Sequence, residues 1–141
     1  MPRLLKAYLA SGVLMLAIDA VWLTVMADRF YRPQIGHLMR TDGFAVAPAV
    51  GFYLVYLAGI AALVQLPAAN WLGALWRGAV YGFCAYATYD LTNQATLRDW
   101  PWLVTAVDIL WGSALTATVA AGGYAIAKCQ SGNSLDRMNH S

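Results

Sequence analysis

Asp19, Asp90 and Asp108 are the residues of this chain best placed to do chemistry, because each lies inside a long apolar run. A carboxylate at the centre of a bilayer costs about 3 kcal/mol or more, so it normally faces a protein interior or a watery cavity and marks a functional site. Three such groups cannot all stay charged and unpaired in a dry pocket. At least one is expected to bind a proton, unless a metal, another cation, a cationic substrate or an arginine neutralises the group. If a reaction takes place there, a protonated aspartate is the natural general acid and an ionised one the base. The competing reading is structural. Aspartates in membranes also hold helices together through hydrogen bonds to Tyr, Trp or Asn, each worth about 1 kcal/mol.

The elements that carry these residues follow from composition. Of 141 residues, 60% are hydrophobic and 11% charged, against roughly a quarter charged in a soluble domain. The charges collect at the ends of the apolar runs. A membrane-spanning helix needs about 20 mostly apolar residues, and four segments qualify: 4–27, 44–66, 71–97 and 101–127. They lack the period-two alternation of barrel strands and are too long for them. The expected fold is therefore all-α, a bundle of four transmembrane helices. It forms a single integral membrane domain over residues 1–129, followed by a polar tail over 130–141 that is expected to be disordered. Leu66-Pro67 should end the second helix, and Pro101 suits the first turn of the fourth. Arg3 and Lys6 before the first run resemble the start of a signal peptide, but the run is long and interrupted by Asp19 and Trp22, so an uncleaved helix is expected.

The three aspartates share a depth. Asp19 precedes Ala27 by eight residues, Asp90 precedes Leu97 by seven, and Asp108 follows Pro101 by seven. With a rise of about 1.5 Å per residue, each is roughly 10–12 Å from the same membrane face. Each also continues a packing face at four-residue steps: Ser11, Met15 and Asp19; Gly78, Gly82, Tyr86 and Asp90; Asp108, Gly112, Thr116 and Ala120. Gly78 and Gly82 permit close helix approach. Thr92 and Asn93 add polarity beside Asp90, and Trp22 and Trp111, one turn from Asp19 and Asp108, are placed to wall the site. The pair Asp19-x-x-Trp22 and Asp108-x-x-Trp111 is a short internal echo, too brief to establish a repeat.

Between the first two helices, Asp28–Gly43 is the longest connection. Pro33 could open a short helix lying in the membrane interface. Arg29, Arg32 and Arg40 belong to this region and are candidates for contacting lipid phosphates. His37 also lies on the aspartate side, where a lone loop histidine is ordinarily solvated. Arg3, Lys6, Arg77, Lys128 and Arg137 gather on one side against Arg29, Arg32, Arg40 and Arg98 on the other, a slight excess from which both termini are expected in the cytoplasm.

Other chemistry is excluded or silent. A net charge of +2 with no basic run gives no basis for nucleic-acid binding. Cys84 is mid-helix and Cys129 is past the last one, so they are not expected to pair. No Walker loop, dinucleotide fingerprint, HExxH or nucleophile elbow occurs. The catalytic residues, the metal and the cofactor, if any, stay unassigned.

Tyr89-Asp90-Leu91-Thr92-Asn93, then Ala95-Thr96-Leu97, Trp100-Pro101 and Asp108-x-x-Trp111-Gly112, together with Asp19-x-x-Trp22, Tyr31…Ile35-Gly36 and Phe52-Tyr53, resemble domain of unknown function 2177. The resemblance covers nearly the whole chain. It implies a small bacterial membrane protein, and it implies no particular activity. The resulting expectation is an inner-membrane protein whose carboxylate site binds a proton, a cation, or a small polar or lipid head group, for transport or a lipid-directed reaction. The alternative is a non-enzymatic accessory or assembly subunit. Its expected partners are membrane lipid and either further copies of itself or a larger membrane complex.

Overall fold

A computed structural model describes the backbone over residues 2–139 and side chains over 2–129. The tail over 130–141, expected to be disordered, lies beyond the residues whose side chains are described. Four long helices form the molecule: α1 (Arg3–Met26), α3 (Val46–Gly59), α4 (Trp71–Thr96) and α5 (Trp102–Asn139), with a short α2 (Arg32–Ile35) after the first. Among the described residues there is no strand. Three helical stretches are long and apolar enough to cross a membrane: Arg3–Leu38, Val46–Gln65 and Trp102–Cys129. The fourth, α4, has the length at 26 residues, but Arg77, Asp90, Asn93 and Gln94 make it less apolar.

The helices bury small and aliphatic side chains against one another and turn their larger apolar ones outward. Val13, Val55 and Leu110 are each at least 70% exposed. Such a surface is stable only where the surrounding medium is itself apolar. The inner contacts centre on α5. Met15, Leu57, Ile60, Leu115 and Val119 form the apolar centre. The closest pairing joins α4 and α5. A Cβ on Gly82 would meet Thr116 Oγ1 at 2.6 Å, and one on Gly78 would meet the Thr116 carbonyl at 2.8 Å. Only glycine lets the backbones come this near.

The α4–α5 reversal is tightly specified. Asp99 takes a left-handed conformation, φ 58°, which Asp tolerates better than most residues. A ring of side-chain bonds closes around it. Gln94 Nε2 donates to the Trp100 carbonyl (2.7 Å), Trp100 Nε1 donates to Thr105 Oγ1 (3.1 Å), and Thr105 Oγ1 donates to Gln94 Oε1 (3.0 Å). At the other end of α4, Asn70 Oδ1 accepts from the Gly73 amide at 2.8 Å, capping the helix.

The segment after α1 departs from the expectation of a loop with a separate interfacial helix. The helix instead runs on through a π-turn (Ala27–Tyr31), α2 and a 3₁₀ turn (Gly36–Leu38), making one helical stretch from Arg3 to Leu38. The physical reason lies in Pro33. Its ring lacks an N–H and would press on the carbonyl of the preceding turn in a regular helix. A widened turn just before it accommodates the ring. A second π-turn, Ile60–Gln65, extends α3 and brings Gln65 inward. There its Nε2 donates to Ser11 Oγ (2.8 Å) and to the Ala120 carbonyl (3.0 Å).

Candidate functional site

Two of the three aspartates in the apolar runs are held by tyrosine hydroxyls from other elements. Tyr53, on α3, donates to Asp19 Oδ2 at 2.6 Å. Tyr31, the last residue of the first π-turn, donates to Asp108 Oδ1 at 2.5 Å. Tyr31 also accepts from Trp22 Nε1 at 3.1 Å, so α1, the π-turn and α5 are tied in one chain of bonds. A regular α-helix would turn Tyr31 to a different bearing; the extra residue in the turn aims it at Asp108.

Trp22 and Trp111 come together beside Asp19 and Asp108, closer than spacing alone predicts. Their rings stack with centroids 3.9 Å apart and planes 9° from parallel. Asp19, Trp22, Tyr31, Tyr86, Asp108 and Trp111 surround a cavity of about 300 Å³ between α1, α4 and α5. Tyr89 and Trp100 close its far side and meet edge to face at 6.1 Å. The Gln94–Thr105–Trp100 ring fixes Trp100 there. The lining contains no Lys, Arg or His.

Asp90 is different. It is fully buried, and neither carboxylate oxygen has a hydrogen-bond partner. It does not line the cavity. It continues the buried α4 face that carries Gly78 and Gly82. The Nε1 of Trp111 is likewise buried without a partner. Buried polar groups are ordinarily satisfied; besides Asp90 and Trp111, only Gln65 Oε1 is left so among the described residues.

The remaining sequence-derived residues separate cleanly. Thr92 is not brought in: it is exposed, and its hydroxyl bonds the Thr88 carbonyl of its own helix at 2.5 Å. Asn93 is half-buried and does not line the cavity. His37 is exposed and apart from it. Arg29 is exposed. Arg32 pairs with Asp28 (3.2 Å) and Arg40 with Asp42 (2.7 Å), all largely in solvent. Arg40 holds the Asp42 carboxyl below the usual carboxylate range. Arg32 and Arg40 do share one hollow of about 440 Å³ with Met39, and Met39 also lines the aspartate cavity. Cys84 and Cys129 are free and exposed.

Spacing did not single out Tyr31, Tyr53, Tyr89 and Trp100. Aromatics near membrane boundaries usually act as anchors. The signal that separates them is the lack of any basic residue at the aspartates' depth, which leaves tyrosine hydroxyls as the available donors. Among the described residues, no three His, Cys, Asp or Glu side chains stand close enough to hold a metal ion.

An all-α membrane protein with a carboxylate-and-aromatic cavity is the class that fold and site define. The chain belongs to the family described as predicted membrane protein (DUF2177), whose model matches residues 4–125. No curated protein and no solved structure matches it.

Proposed function

We propose that this protein binds a small polar group inside the membrane, in the cavity between Asp19 and Asp108. One observation carries the reading: two carboxylates, each steadied by a tyrosine hydroxyl, face a cavity of about 300 Å³ that has no basic residue in its wall. Helix glue accounts for the two tyrosine bonds, which do join neighbouring elements, but leaves no reason for a cavity between the carboxylates. The unpartnered Asp90 adds support, since a buried acid without partners lowers stability and persists only where something else is gained. Asp19 and Asp108 are the binding groups, Trp22 and Trp111 the wall, and Asp90 a buried acid set back from the cavity. The ligand is a proton-carrying or cationic group, or a lipid head group, handled for transport or a lipid-directed reaction.

The accessory-subunit reading draws less support. It needs the small-residue stripes as docking faces for another protein, and Gly78, Gly82 and Gly112 are occupied by packing between α4 and α5, with Tyr86 against Gly112. The protein's setting is a bacterial cytoplasmic membrane. α4 lies antiparallel along α5, and this pairing supports a fourth crossing that puts both termini on the cytoplasmic side.

Native mass spectrometry of the protein in mild detergent, with metal analysis of the same sample, tests the binding reading. The expected result is one small molecule or ion per chain, lost in Asp108→Asn without loss of the folded protein. A chain that carries nothing, or that leaves the membrane only with another protein, would favour the subunit role.

A further inference from the structure

The aspartate cavity abuts a second hollow of opposite character. Trp22 and Trp111 line both. On their far side Ala17, Ile18, Val21 and Val25 form a groove of about 560 Å³ with almost no polar surface. It runs along α1 from Ala17 to Met26, about 14 Å at the rise of an α-helix. That is close to the roughly 15 Å depth of one leaflet's hydrocarbon. The groove opens outward, since Val21 is 66% exposed.

The chemistry of the two hollows is complementary to one kind of molecule. The cavity offers two carboxylates and the faces and edges of Trp22, Tyr86, Tyr89, Trp100 and Trp111, with no cation of its own. Carboxylates and aromatic faces together recognise organic ammonium groups. An anionic or phosphate-only head group would meet repulsion from Asp19 and Asp108 and find no Lys or Arg in the wall. The groove accepts a hydrocarbon chain and nothing polar. The tryptophan pair borders both hollows, so a ligand whose chain passes round the edge of the stack would reach from one into the other.

We propose that the ligand is an amphiphile bearing an ammonium head group, with the ammonium between Asp19 and Asp108 and its hydrocarbon chain in the groove beyond Trp22 and Trp111. The proposal rests on the binding reading above and narrows it to a chemical class. It assigns the tryptophan stack a task, which is to divide the polar end of the ligand from the apolar end.

The test uses the full chain in mild detergent and three probes: dodecylammonium, its uncharged counterpart dodecanol, and the chainless ethylammonium. Retention of each is read by native mass spectrometry. Wild-type protein is expected to retain one dodecylammonium per chain, at least ten-fold better than either other probe. Asp108→Asn should abolish the preference over dodecanol. Val21→Trp, a substitution at an exposed position that fills the groove, should abolish the preference over ethylammonium without disturbing the fold. Equal retention of dodecanol and dodecylammonium would overturn the proposal, because the site would then be reading the chain alone. Equal retention of ethylammonium, unaffected by Val21→Trp, would overturn it too while leaving the polar binding site intact. If no probe is retained and the protein as purified carries no small molecule, both the proposal and the binding reading fall.

Discussion

Tyr31 is the residue on which the site's geometry turns. Its hydroxyl is donor to Asp108 and acceptor from Trp22, so Tyr31→Phe deprives two groups at once. A half-buried polar group left unpaired costs about 1–3 kcal/mol. Tyr31→Phe should therefore lower the melting temperature in detergent and weaken ligand retention. Tyr53→Phe removes one bond only, to Asp19, and should have the smaller effect on stability. Asp90 predicts the reverse sign. Replacing an unpartnered buried carboxyl with an apolar side chain removes a desolvation penalty, so Asp90→Val should unfold at the wild-type temperature or above it. A clear fall in melting temperature would mean that Asp90 has a partner in the folded protein. If Asp90 is kept for function, the stabilised variant should also lose the ligand.

That Asp19 and Asp108 fall at one level of the bundle was legible in the sequence, since helical rise is constant and both side chains line the same cavity. What holds them was not. Tyr31 and Tyr53 lie in connections or on other helices, and the step from Asp108 to Tyr31 spans 77 positions. Thr92 misled for the opposite reason. It neighbours Asp90 in sequence, yet two residues along a helix point about 200° apart, and Thr92 faces outward.

At the scale of elements, two contacts govern the bundle: the glycine seam between α4 and α5, and the π-turn after α1. Gly82→Val would drive its side chain into Thr116 and the Gly112 carbonyl, and overpacking of this kind costs about 1–3 kcal/mol. Gly51→Ala is the matched control. A Cβ at Gly51 meets nothing within 4 Å, so this variant should be neutral or slightly more stable, by up to about 1 kcal/mol. Thermal unfolding of the pair in one detergent checks both signs. The π-turn makes a sharper prediction. Deleting Arg29 removes the extra residue of that turn and lets α1 continue as a regular helix. Tyr31 then swings away from Asp108, so the deletion should reproduce the ligand loss of Tyr31→Phe. The four long helices could be read from hydropathy to within a few residues at their starts. The π-turns could not, because one inserted residue leaves no mark on an apolar pattern. Its cause, Pro33, read equally well as the start of a new helix.

For the whole molecule, the topology can be checked with the protein's own thiols. Cys84 is exposed on the outer surface of α4, and Cys129 lies late in α5. With both termini in the cytoplasm, a membrane-impermeant maleimide should leave Cys84 unlabelled in sealed membranes of either orientation. It should label Cys129 only when the cytoplasmic face is presented. Labelling of Cys129 from outside would invert the arrangement, and labelling of Cys84 from either side would mean that α4 does not cross within hydrocarbon.

The stacked tryptophans carry one more consequence. α1 and α5 run antiparallel, with Ser11 against Val119 and Trp22 against Trp111, and each brings an Asp-x-x-Trp to the same cavity. Each aspartate stands one helical turn from its tryptophan, and the two helices send these paired side chains into one cavity from opposite chain directions. Each carboxylate also takes a tyrosine hydroxyl, Asp108 from Tyr31 beyond the end of α1 and Asp19 from Tyr53 of α3. A carboxylate, an indole and a phenol thus meet twice over in one chain, once from each direction of travel.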